Sequence, residues 1–281
     1  MIDNIKDREL FDIKKVGIIS IMVWFLLNVL AIPLSFSMII SLFGKTWLSG
    51  NNYFIENEVG YFTFLISSIL AVLSVSYYYS KGKVKALSGY LLKITSMLLI
   101  SKIALYVISV YYPAYISLLG ISNGFICYVV FMAMFIKISE LYGKKLSFLD
   151  RIKIIALSLL IYLAITYPLY WGIYTFITED YFTYPSDYWH FEKFIFFIYV
   201  LGALISVPSS TYIYSKLTNL GDLKKYSLEM LKYSIVFSVI TLISFWAFTL
   251  YYHHVFSIGS FIVWLIIYSL IMIFKMLDIE R

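Results

Sequence analysis

The chain has 281 residues, 62% of them hydrophobic and 14% charged, with a mean hydropathy of +0.86 and a formal charge of +6. A soluble domain is about half apolar and about a quarter charged, so this composition excludes an ordinary water-soluble fold and points to a bilayer, whose lipid accepts apolar surface. The basic residues lie between apolar runs and only Arg8, Arg151 and Arg281 are Arg, a pattern that argues for anionic lipid headgroups as partner and against nucleic acid.

Residues 1–15 mix Asp3, Asp7, Glu9 and Asp12 with Lys6, Arg8, Lys14 and Lys15 and read as a cytoplasmic segment. The apolar run that follows is longer than the roughly 7–15 residues of a cleaved signal core. Eight stretches reach the roughly 20 apolar residues that a spanning helix needs. They are 16–43, 59–79, 87–111, 114–136, 154–177, 194–214, 233–252 and 256–274. Hydrocarbon leaves backbone polar groups no partner but each other, and the alternation of barrel strands is absent, so the spans are helices. The fold class is all-α: a polytopic transmembrane helical bundle of eight spans.

Span one holds Asn28 and, about one turn on, Pro33. Asn28 reads first as an interhelical hydrogen bond and second as a ligand. Pro33, Pro168 in span five and Pro208 in span six each remove a backbone hydrogen bond and are expected to kink their helices. Matched kinks at Pro33 and Pro168 would flank a cavity, although proline is also simply better tolerated in membrane helices. Span three carries two lysines. Lys93, near its start, is expected to snorkel to the headgroups. Lys102 lies past mid-span, and no Asp or Glu falls at that depth in any span. Either it is neutral, or it faces a wet cavity, or it meets an anion or another subunit, or it snorkels outward toward Glu56 and Glu58. The lack of deep carboxylates disfavours a cation-coupled pump. The lone cysteine, Cys127 in span four, permits no internal disulfide.

Eighteen Lys and Arg fall on one side of the spans and two, Lys45 and Lys193, on the other. That partition places both termini in the cytoplasm of a plasma-membrane protein. The opposite loops hold Glu56, Glu58, Glu179, Asp180 and Asp187, together with His190, His253 and His254. These histidines are weak candidates for a metal site, or for a haem between His190 and His253. Adjacent histidines diverge on a helix, so interfacial anchoring is the simpler reading and no cofactor is assigned.

The two halves of the chain resemble each other. Ser74-Val-Ser-Tyr-Tyr-Tyr-Ser-Lys81 ends span two and Ser209-Ser-Thr-Tyr-Ile-Tyr-Ser-Lys216 ends span six, 135 residues later. Pro33 and Pro168 share that offset; Leu92-Lys93 matches Leu231-Lys232, Tyr111-Tyr112 matches Tyr251-Tyr252, and Lys137 matches Lys275 at offsets of 138 to 140. A near-constant offset is the mark of duplication, and units of four spans share one orientation, which gives a 4+4 parallel internal repeat. Lys102 then corresponds to Thr241. The expected division is a segment 1–15, a first four-helix repeat 16–138, a basic connector 139–153, a second repeat 154–276 and a tail 277–281.

No metalloprotease, serine-hydrolase, phosphate-loop or paired-cysteine motif occurs. Ser257-Ile-Gly-Ser260 beside His253 and His254 reads as helix packing rather than a serine–histidine pair. The sequence therefore favours a non-enzymatic, permease-like or transport-associated protein, with Lys102, Asn28, Pro33, Pro168 and Thr241 as candidate substrate-binding residues for a small anionic or polar solute. The alternatives are a non-catalytic subunit bound to other membrane subunits of an exporter or respiratory assembly and, below it, a membrane enzyme or a haem or metal carrier. Single cysteines placed in the 139–153 connector and in the carboxyl tail should be labelled by an impermeant reagent only from the same face. Labelling from opposite faces would overturn the eight-span topology.

Overall fold

The computed structural model describes residues 13–43, 53–112, 117–141, 146–178, 185–252, 261, 265–273 and 275. They form helices α1 (Ile13–Phe43), α2 (Tyr53–Tyr79), α3 (Gly82–Tyr111), α4 (Ser117–Leu141), α5 (Phe148–Thr178), α6 (Pro185–Leu217) and α7 (Gly221–Tyr252), and a last helical stretch over residues 265–273, α8. No strand occurs among the described residues. Six helices, α2 to α7, are long and apolar enough to cross a bilayer. The protein is therefore an all-helical, multi-pass membrane protein.

Local chemistry sets the helix ends. Between α2 and α3 the chain turns at Gly82, whose φ of 59° lies in the left-handed region where a side chain is strained. Between α6 and α7 the same job falls to Asn219 at φ 56°, with the Leu220 N–H donating to Ser215 O at 3.0 Å. That six-to-one bond and a left-handed residue close the C-terminus of α6 in a Schellman motif. At the start of α5, the Ser147 hydroxyl donates to Asp150 Oδ2 at 2.7 Å and accepts from the Asp150 N–H at 3.2 Å, while the Ser147 N–H donates back to the carboxylate at 3.3 Å. This reciprocal cap starts α5 early, and α4 runs on to Leu141. The connection is thus shorter than the 139–153 read from apolar runs, because helices continue past the hydrocarbon wherever their ends are capped. Glu140 braces it, 3.2 Å from Lys137 and 2.6 Å from Arg151.

Helices α2, α4 and α6 are mostly buried, while α3, α5 and α7 bury only a third of their length or less. The exposed faces are apolar: Met97, Ile100 and Ile103 on α3, Leu160 and Leu163 on α5, Val236, Ile240 and Ile243 on α7. On α1, Met22, Phe25, Leu26, Val29 and Leu30 face outward too. Such contiguous apolar surface is stable only against lipid.

Helix α6 packs on α4, α5 and α7; α2 packs on α1 and α3, and less extensively on α4; α3 packs on α4. Helix α8 joins through Tyr226, whose hydroxyl donates to Met272 O at 2.9 Å, through a Ser234–Tyr268 hydrogen bond, and through the Lys275–Glu229 ion pair at 3.4 Å, all on α7. It also meets α4 at Phe131 and Tyr268 and α1 at Gly17 and Leu270. Lys81, Lys83, Lys85, Lys137, Arg151, Lys153, Lys216, Lys224 and Lys225 consequently lie at one end of the bundle.

Two crossings are tight, and at Gly124 the neighbouring backbone itself comes close. A Cβ on Gly124 would lie 2.2 Å from Tyr199 Cβ, and one on Gly202 would lie 2.5 Å from Thr166 Cγ2. Only glycine fits there. The prolines sit inside unbroken helical segments, with Pro33 and Pro168 exposed and Pro208 buried. Gly124→Ala should destabilise the purified protein by about 1–3 kcal/mol, the usual cost of forcing a methyl group into a packed contact. Gly60→Ala, with open space around it, should melt like the wild type. Equal melting of both variants would refute the close α4–α6 approach.

Candidate functional site

Among the described residues, Lys102 is the one Lys, Arg, Asp or Glu that the fold buries: it is 2% exposed, on a helix whose other face is exposed and apolar. Spacing supplies its first neighbour. Tyr106 stands one turn on, and its ring centroid lies 5.2 Å from the Lys102 ammonium. The α2–α3 contact brings the second, the Phe62 ring at 5.4 Å. The two rings meet edge to face at 5.8 Å. The ammonium also donates to the Ser122 hydroxyl on α4, beside the fully buried Asn123. Behind them lies a small apolar cluster of Phe62, Ile66 and Ile126. The site is therefore a pocket-like junction of α2, α3 and α4 in which aromatic faces and a hydroxyl solvate a cation. A desolvated cation–π contact is worth about 2 kcal/mol, of the order of the few kcal/mol that a charge costs at mid-span.

The Lys102 side chain is buried against Phe62, Tyr106 and Ser122, while the side chains of Glu56 and Glu58, the expected partners in the outward-snorkelling alternative, lie outside the described ones. Lys93 is exposed, in keeping with its expected reach to the headgroups. Asn28 is 6% exposed and makes the interhelical bond expected of it: its amide donates to Ser67 Oγ on α2 at 2.8 Å and to Trp24 O at 2.7 Å. Pro33 and Pro168 face outward rather than flanking an interior space, and Thr241 is buried on α7. None of these four belongs to the Phe62, Tyr106 and Ser122 set around Lys102. His190 lies on α6, while His253, His254, Glu179 and Asp180 lie outside the described residues. Among the described residues no three His, Cys, Asp or Glu come together as metal ligands.

Two features were not anticipated from sequence. One is a cavity between α2, α3, α4 and α8, lined by Val72, Leu91, Cys127, Met134, Leu265 and Met272 among others. Its lining is apolar apart from Ser269, whose hydroxyl donates to Leu265 O at 2.9 Å. It does not reach Lys102. The other is a buried tyrosine row across α4, α5 and α6, with Tyr128 and Tyr162 at 5.3 Å and Tyr162 and Tyr199 at 6.4 Å. Period and hydropathy carry no signal for either, since both arise from which helices become neighbours.

No family model matches the chain, and no solved structure does. An uncharacterized protein of Methanocaldococcus jannaschii is 35% identical over 72 residues, which are 26% of this chain and 52% of that protein. The chain thus spans about half the length of the curated relative it matches, and that relative is itself about half as long as this chain.

The Asn28–Ser67 bond ties α1 to α2 where no water competes. A double-mutant cycle with Asn28→Leu and Ser67→Ala should give a coupling of about 0.6 kcal/mol and no more than about 1.7 kcal/mol, the range found for membrane-helix hydrogen bonds. Additive effects on unfolding would show that the bond contributes nothing to helix association.

Proposed function

We propose that this chain is a permease-like or transport-associated protein of the cell membrane. It crosses the bilayer eight times, keeps both termini in the cytoplasm, and consists of two four-helix repeats of the same orientation. The six long apolar helices, the outward apolar face of α1 and the gathering of basic residues at one end of the bundle support this topology. The role is non-enzymatic, and its working group is Lys102.

The single observation that carries the reading is the buried ammonium itself. An ionisable group held at mid-span is costly and marks function unless the scaffold requires it. At the matched position of the second half the chain uses Thr241, so the scaffold does not require it. A small solute bearing a carboxylate or phosphate would exchange the Ser122 hydroxyl for a charge-assisted hydrogen bond to the same ammonium. The rings of Phe62 and Tyr106 would then shield the pair from lipid.

The apolar cavity favours a second reading, a non-catalytic subunit of a larger membrane assembly. Its lining offers a solute almost no polar group, and the exposed flanks of α3, α5 and α7 are apolar. Purification in mild detergent separates the two readings: a free single chain disfavours the subunit, and a stoichiometric complex supports it. For the first, inorganic phosphate, succinate and glutamate are titrated against the protein in nanodiscs. At least one should raise the melting temperature, and Lys102→Met should weaken that binding at least tenfold, or about 1.4 kcal/mol. Unchanged binding by a Lys102→Met protein of normal stability would sink the proposal.

A further inference from the structure

The two halves of the chain meet in a way that has a direct physical meaning. Tyr61 on α2 and Phe196 on α6 occupy the same repeat position, 135 residues apart. Their rings stack on each other at 5.5 Å with 24° between planes, and both are buried. A residue that touches its own counterpart lies on a two-fold axis, the hallmark of an isologous interface.

The surrounding contacts come in matching pairs. Within the halves, α1 packs on α2 as α5 packs on α6, and α2 on α3 as α6 on α7. Lys137 sits 5.3 Å over the Tyr90 ring, and at the corresponding places Lys275 pairs with Glu229. Between the halves, α4 meets α5 where Tyr128 donates to Ile155 O at 3.2 Å, and α8 meets α1 at Leu270 and Gly17. Helices α4 and α8, themselves counterparts, touch at Phe131 and Tyr268. The buried hydroxyls match too: Ser76, Ser80, Ser88 and Thr95 correspond to Thr211, Ser215, Ser227 and Ser234. The Methanocaldococcus jannaschii relative adds an independent measure, since its length is about that of one half.

We infer that each four-helix half is a self-complementary module, and that the chain is a covalent pseudo-dimer whose interface accepts a second module of the same kind. The inference rests on the duplicated reading above. The helical faces around Tyr61, Gly124 and Tyr128 in one half and Phe196, Tyr199 and Ile155 in the other hold the modules together. The connector between Leu141 and Ser147 serves mainly to keep them at high local concentration, of the order of millimolar for a short tether.

A protease site inserted in the connector of the full chain, with a tag at each end, tests this. After cleavage in mild detergent the two fragments should co-elute at the size of the uncut protein and melt as one unit. Separation of the fragments would overturn the inference. Cysteines at Tyr61 and Phe196, in a Cys127→Ala background, should be joined by a short thiol cross-linker before and after cleavage. Gly17→Cys with Leu270→Cys serves as a second pair should the first not fold. A cross-link that forms in the uncut chain but not between fragments cleaved first refutes the module while leaving the duplication standing. No cross-link at either pair in the uncut chain removes both.

Discussion

Helix α6 packs closely on α4 and α5, on α4 down to backbone distance, and most of the bundle hangs on those contacts. In lipid there is no gain from hiding apolar side chains from water, because the surroundings are as apolar as the core. Helices stay together through close van der Waals packing and a few polar bonds. Gly124 against Tyr199 and Gly202 against Thr166 supply the packing. Ala203 and Ser206, both fully buried on α6, keep the same helix narrow along its length. The hydroxyls that line the α2–α3 and α6–α7 contacts are small enough to allow the same approach. Many of them fold back on their own helix, as Ser68 does to Leu65 O and Ser234 to Met230 O, and so cost little when buried.

That arrangement explains which parts of the architecture could be read from sequence. Long apolar runs are imposed by bilayer thickness, and they announced α2 to α7, although α6 starts at Pro185 rather than 194 and α7 at Gly221 rather than 233. The ends erred where capping extended a helix, at Phe148 through Ser147 and Asp150 and at Gly221 beyond Asn219. Which helices are inner and which outer was not legible. A lipid-facing helix and a buried one are equally apolar, so α3 and α4 look alike in composition, yet one is mostly exposed and the other mostly buried. Asn28 was legible as an interhelical bond because an amide in hydrocarbon must find a partner. Its partner, Ser67, was not, since that depends on the α1–α2 crossing.

The same distinction applies at Lys102. Its depth was evident from its place in span three, and Tyr106 one turn away was available by counting. The inward turn of the side chain needed Phe62 and Ser122, which come from two other helices. Aromatic rings help make such burial tolerable, because the ring face offers negative potential to a cation. The outward placement of Pro33 and Pro168 fits the simpler of the two proline readings, that membrane helices tolerate proline. A proline can border an interior space only if it faces inward, and Pro33 and Pro168 face out.

On the duplicated reading, the positions that differ between halves are more informative than those that match. The matched hydroxyl seams, the matched hairpins at Gly82 and Asn219 and the paired contacts of Lys137 and Lys275 are what two copies of one scaffold need. Lys102 opposite Thr241, Asn123 opposite Phe261 and Tyr162 opposite Leu27 are departures from it. In each pair the chemistry of the position differs between the halves: an amine against a hydroxyl, an amide against a phenyl ring, a phenol against an aliphatic chain. A symmetric dimer of half-length chains must carry every polar burial twice or not at all. On that reading, fusion into one chain lifts the constraint and lets one half bury Lys102 where the other buries Thr241.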